Sequence, residues 1–161
     1  MIYALFSLKA IQILYPLIFL TKKMGAFMKF VLIAFLMYSV ASLVFSFRLK
    51  GVHAALLFLR LFAYTLIILY LLFVVRNSDR KTSFVSILLS LFVVMFYFSF
   101  YYRLRLILVL GPLIALSTLI YYSLNKTQSS NRIVIITGAL FIDFLRIAIN
   151  EIWIFAGATP Y

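Results

Sequence analysis

The sequence predicts an all-α fold, a polytopic transmembrane bundle of about six membrane-spanning helices with short loops. Three observations carry that expectation. Apolar residues fill 67% of the 161 positions and charged residues only 11%, too little polar surface to cover a water-soluble globule of this size. The apolar residues fall into blocks close to the roughly 20 residues that a helix needs to cross a hydrocarbon layer. Within the blocks, runs such as Leu66 to Val75 are apolar at every position, whereas a membrane β-barrel strand alternates apolar and polar residues.

The first span is expected over 2–20, where Lys9 and Gln12 are the interior polar residues and Thr21-Lys22-Lys23 closes the block. Lysines stand where a signal-peptide cleavage site would lie, so the block is expected to stay as a true span. The second span, 30–47, begins after Lys29 and carries Ser39, Ser42 and Ser46 on one face. The third, 54–75, follows His53 and ends at Arg76, with His53, Arg60 and Tyr64 on one stripe at i, i+7 and i+11. The fourth, 83–102, follows Arg80-Lys81, has Ser83, Ser86 and Ser90 along one face, and ends at Tyr101-Tyr102. Gly111-Pro112 interrupts the fifth, 106–123, which also aligns Gly111, Ala115 and Thr118. The sixth, 133–154, begins after Arg132 and contains Asp143, Arg146, Asn150 and Glu151. Small-residue faces let helix backbones approach closely, so the three stripes are read as helix contacts. Tyr97, Tyr101, Tyr102, Tyr121 and Tyr122, near span ends, fit aromatic belts at the headgroup level.

The polar breaks at 76–82 and 125–132 are too short to fold independently, so residues 1–161 are expected to form a single integral membrane domain. The net charge of +12 sits mostly in the breaks, which marks topology rather than nucleic-acid binding. One set of loops holds Lys22, Lys23, Lys29, Arg76, Arg80, Lys81, Lys126 and Arg132, the other Arg48, Lys50, Arg103 and Arg105. The richer set is expected on the cytoplasmic side of a cell membrane, which places both termini outside. With no cysteine and the lone histidine His53, neither a metal site nor a thiol nucleophile is expected, and no cofactor. The glycosylation-like triplet Asn125-Lys126-Thr127 is of a kind common by chance.

Function has to be sought among polar residues inside the spans, because these are costly in a bilayer and usually face the bundle interior. On the sixth span Asp143, Arg146 and Asn150 share one face at i, i+3 and i+7, with Glu151 following. Counting the helical rise of about 1.5 Å per residue places Lys9, Arg60 and Arg146 in one layer of the outer half, with Gln12 and Asp143 slightly deeper. Lys9, Gln12, Arg60, Asp143, Arg146, Asn150 and Glu151 therefore form either a ligand-binding layer or a set of structural ion pairs. As a binding layer it would be a pocket bounded by spans one, three, five and six, selecting an anionic or zwitterionic small ligand. As a structural layer, the arginines would pair with Asp143 and Glu151 while Lys9 snorkels.

Two functions follow: a small-solute or ion transport or binding component, or a non-catalytic membrane subunit or sensory module acting through a membrane protein partner or a second copy. Catalysis is less expected, since no spacing pairs Asp143, Glu151 or His53 into an acid–base motif.

Overall fold

The computed structural model describes residues 2–22, 25–45, 51–76, 80–102, 104–124 and 128–155. Those residues fold into α1 (Ile2–Leu20), α2 (Ala26–Phe45), α3 (Val52–Arg76), α4 (Arg80–Tyr102), α5 (Arg105–Leu124) and α6 (Gln128–Phe155). All six helices are long and apolar enough to cross a membrane, so the chain is a multi-pass integral membrane protein built as a helix bundle. Lys23, Ser46, Arg48, Lys50, Arg103 and the Asn125-Lys126-Thr127 triplet lie outside the described residues.

The helices extend past the expected spans mostly at their N-terminal ends. α2 begins at Ala26 instead of 30, α4 at Arg80 instead of 83, and α6 at Gln128 instead of 133. The extra turns take in Lys29, Arg80 and Lys81, all exposed. Long basic side chains keep their charge in water while the backbone continues its hydrogen bonding toward the hydrocarbon, so a charge need not end a helix. Gly51, at φ 81°, leads into α3 in a left-handed conformation that its missing side chain permits. The expected break in the fifth span is absent: α5 runs unbroken through Gly111 and Pro112. Proline removes one donor, but the flanking turns hold the helix where neighbours pack against it.

α6 is the most enclosed helix. It packs along its length on α5, on α1 over a shorter stretch, and locally on α3 and α4, while α2 joins α1 to α3. Phe144 of α6 lies against Phe96 of α4 with ring centroids 4.0 Å apart, and Phe92 meets the same ring at 6.0 Å. Gly111 brings α5 onto this pair, since a Cβ there would come 2.5 Å from the Phe96 ring. At the other contact of α6, a Cβ on Gly138 would fall onto the Tyr15 hydroxyl, which donates to the Ile135 carbonyl at 2.8 Å. Pairings of Gln12 with Asp143 and Tyr15 with Ile135 run in opposite directions along α1 and α6, so these two helices are antiparallel. The start of α1 and the finish of α6 therefore lie at one end of the bundle, called below the termini end.

Exposed Leu14, Ile18, Phe58, Leu91 and Leu113 cover the outer surface, as expected where the solvent is hydrocarbon. Tyr101, Tyr102 and Tyr121 are exposed near helix ends, in keeping with a belt, but Tyr122 is buried and Tyr97 half-buried. Tyr97 meets the ring of Tyr64 edge-on at 6.0 Å, so it belongs to the interior instead.

Candidate functional site

Four helices converge on the carboxylate of Asp143, which is fully buried on α6. Its Oδ1 accepts from Gln12 Nε2 of α1 at 2.9 Å, from Tyr38 Oη of α2 at 3.0 Å and from Arg146 Nη2 of its own helix at 2.8 Å. Its Oδ2 accepts from the Tyr64 hydroxyl of α3. Four donors equal in number a carboxylate's roughly four lone-pair directions, with three gathered on Oδ1 and one on Oδ2. In a medium without water each donor matters, because an unsatisfied buried carboxylate costs several kcal/mol, on the order of 3–5 where an ion pair is broken.

The donors are themselves satisfied. Gln12 Oε1 accepts from Arg146 Nε at 3.0 Å, so one amide bridges both members of the Asp143–Arg146 ion pair, whose N–O distance is 2.8 Å. The Tyr38 hydroxyl gives its proton to Asp143 and accepts from Arg60 Nε at 3.0 Å and Arg146 Nη2 at 2.7 Å. One donor and two acceptors exhaust a hydroxyl. The Tyr38 ring also lies under both cations, 5.4 Å from the Arg60 guanidinium carbon and 6.0 Å from that of Arg146. Two like charges are thus held beside one negative π face, which offsets part of their repulsion.

The side chains fall into two tiers along the bundle axis. Gln12, Tyr38, Tyr64 and Asp143 form the first, and each helix adds a cation or cation contact about one turn nearer the termini end: Lys9, Ser42, Arg60 and Arg146. Lys9 Nζ donates to the Ser42 carbonyl at 3.1 Å, and its ammonium lies close enough to both guanidiniums to feel their charge. The cations are buried, with exposures of 2% for Lys9 and 4% each for Arg60 and Arg146. Lys9 therefore does not snorkel; it is held at depth by α2.

Of the residues singled out from sequence, Lys9, Gln12, Arg60, Asp143 and Arg146 are brought together. Asn150, half-buried, and Glu151, buried, lie farther along α6 toward the termini end. The expected boundary by spans one, three, five and six is corrected: α2 provides Tyr38 and the Ser42 carbonyl, and none of the bonds described above comes from α5. The proline of α5 faces helix packing, with Gly111, Pro112 and Ala115 all buried. His53, expected on the Arg60 stripe, is exposed at the start of α3 beside the Phe45 ring, 5.5 Å away. A helix face that is interior at Arg60 need not be so two turns earlier, at the start of the helix. Tyr38 is the residue that sequence reasoning missed. Its signal was position, since a tyrosine in the middle of an apolar span has nowhere to place its hydroxyl except on a partner.

Among the described residues no three His, Asp or Glu side chains are grouped to hold a metal ion. Comparison with protein-family models, with curated proteins and with solved structures finds no match.

Proposed function

We propose that this membrane protein is a binding or transport component for a small solute or headgroup carrying an anionic group, received by Lys9, Arg60 and Arg146. The observation that carries the reading is the gathering of basic side chains in the tier. Three buried cations lie together, and the carboxylate among them, Asp143, already accepts from four donors. Cations gathered at low dielectric repel one another, and an entering anion would offset that repulsion. Arginine's fork and the lysine point charge suit carboxylate, phosphate or sulfate oxygens.

In this reading Asp143 is the staple that joins α1, α2, α3 and α6 and holds the cations in place. Its role is to position them, and the ligand is recognised by the cations so positioned.

The test is thermal unfolding of the purified protein in mild detergent with added dimethyl phosphate or acetate. A ligand at about ten times its Kd stabilises by about 1.4 kcal/mol, a rise of about 3–6 °C for a chain this long. Lys9→Gln keeps a donor for the Ser42 carbonyl and removes the charge. The expected result is a concentration-dependent rise in the wild type that needs at least about tenfold more anion in Lys9→Gln, with no rise from tetramethylammonium chloride beyond its chloride control. Equal shifts in the two proteins, or none in either, contradict the reading.

A further inference from the structure

We infer that the α3–α4 edge at the end of the bundle opposite the termini is a docking surface for an anionic phospholipid, whose phosphate meets Arg76, Arg80 and Lys81 while an acyl chain lies along the apolar stripes beneath them. The inference does not rest on the anion tier, since Arg76 lies about 24 Å beyond Arg60 along α3.

α3 finishes and α4 begins at this end, and the Ser83 hydroxyl of α4 donates to the Val75 carbonyl of α3 at 2.9 Å. That bond ties the last turn of one helix to the first turn of the next. Arg76, beside the acceptor, and Arg80 and Lys81, within a turn of the donor, are therefore held at one edge, and all three are exposed. The sequence offers one acid in this stretch, Asp79 in the break between the helices, so the edge carries two more cations than acids whatever pair Asp79 makes. Arg80 and Lys81 also occupy the first turn of α4, which holds no acid. The positive end of the helix dipole disfavours cations there, and an anion is favoured by the dipole and by the side chains alike.

What lies beneath these cations is apolar and faces outward. At about 100° per residue, Leu69 and Leu72 share the stripe of Arg76, and Phe84 and Leu91 share that of Arg80. All four are exposed, and in a bilayer such a surface is covered by acyl chains. Each arginine thus stands at the end of a lipid-facing stripe of its own helix, at the depth where a long basic side chain carries its charge to the headgroups. The other end of α4 differs, finishing in exposed Tyr101 and Tyr102, which anchor a helix without selecting a charge.

A phospholipid matches both parts of this surface at once. Its phosphate accepts from two guanidinium forks and an ammonium, and its chain runs down the stripes that lead into them. An acidic protein segment would match the cations alone, whereas the lipid that covers the stripes already brings a phosphate to their level. Among lipids competing for that place, a zwitterionic one brings an ammonium with its phosphate, so the excess of cations selects those with net negative charge. Lys22, Lys29 and Arg132, exposed on α1, α2 and α6 at the same end, add a longer-range attraction of the same sign.

The experiment titrates full-length, delipidated protein in mild detergent with phosphatidylglycerol against phosphatidylcholine of the same acyl chains, read by native mass spectrometry. An exposed edge exchanges lipid quickly, so binding is read by titration and not by what survives purification. Each cation near an anionic headgroup contributes roughly fivefold. The expected result is a preference of about tenfold or more for phosphatidylglycerol at about 0.05 M ammonium acetate, fading toward parity at about 1 M, where charges are screened beyond about 3 Å. Arg76→Gln combined with Arg80→Gln and Lys81→Gln should bring the low-salt preference to within about threefold, while Lys9→Gln leaves it as in the wild type. Equal binding of the two lipids by the wild type, or a preference that survives the triple substitution, overturns the inference. A preference lost in Lys9→Gln and kept in the triple variant places the lipid's anion in the tier, which overturns this inference and leaves the anion-binding reading standing. Should the triple variant fail to fold, Arg80→Glu is read instead, with the preference expected to fall about fivefold or more, and an unchanged preference there counts against the edge.

Discussion

Replacing Asp143 by asparagine keeps the shape of the side chain and removes its charge, which isolates what the carboxylate does. Four donors lose their anionic acceptor, and one of the two new N–H groups must point at a hydroxyl or guanidinium that is itself donating. Hydrogen bonds between membrane helices average only about 0.6 kcal/mol each, so four lost separately would sum to roughly 2.4. Breaking a buried ion pair from one side costs about 3–5 kcal/mol, because Arg146 is left charged and unpaired. The second effect is the larger, and the expected loss is about 3–4 kcal/mol, a fall in unfolding midpoint of about 6–15 °C for a chain of this length. The assay is unfolding in mild detergent, followed by helical circular dichroism and by tyrosine and tryptophan fluorescence. A double variant, Asp143→Asn with Arg146→Gln, should recover part of the loss, since it removes the stranded charge. A midpoint within about 2 °C of wild type for Asp143→Asn, or strictly additive losses in the double variant, would refute the staple.

The other predictions come from single contacts. Tyr38→Phe removes an acceptor for two arginines and a donor to Asp143, and should cost about 1–3 kcal/mol, more than Tyr64→Phe, which removes one bond; the same unfolding assay gives the order. Gly138→Ala should destabilise by about 1–3 kcal/mol, because its methyl group displaces the Tyr15 hydroxyl from the Ile135 carbonyl. In a Tyr15→Phe background the same change should cost measurably less, and an unchanged cost would mean that the clash lies elsewhere. Gly111→Ala pushes a methyl group onto the Phe96 ring and should cost about 1–3 kcal/mol, with recovery when Phe96 is shortened to leucine.

The helix number was legible because hydrocarbon imposes a length that an apolar block either reaches or does not. Helix ends were less legible: Lys29, Arg80 and Lys81 look like boundaries in sequence, yet the backbone coils past them while their charges reach water. Within the site, Asp143 and Arg146 were legible from their i, i+3 spacing, and Gln12 and Lys9 from their rarity inside a span. Arg60 was legible for the same reason. The contribution of α2 was not, since the acceptor for Lys9 is a backbone carbonyl that any residue would provide, and Tyr38 is one of 11 tyrosines in the chain. His53 misled because helical spacing reports a face and cannot report where along the helix that face stops being buried.

The most direct test of the binding tier is native mass spectrometry of the full chain extracted gently from its own membrane, wild type beside Lys9→Gln. The account predicts a discrete adduct bearing an anionic group on the wild type that is lost or greatly reduced in the variant. A wild type that flies bare and gains no mass when phosphodiester is added back, or an adduct that Lys9→Gln retains unchanged, would contradict it.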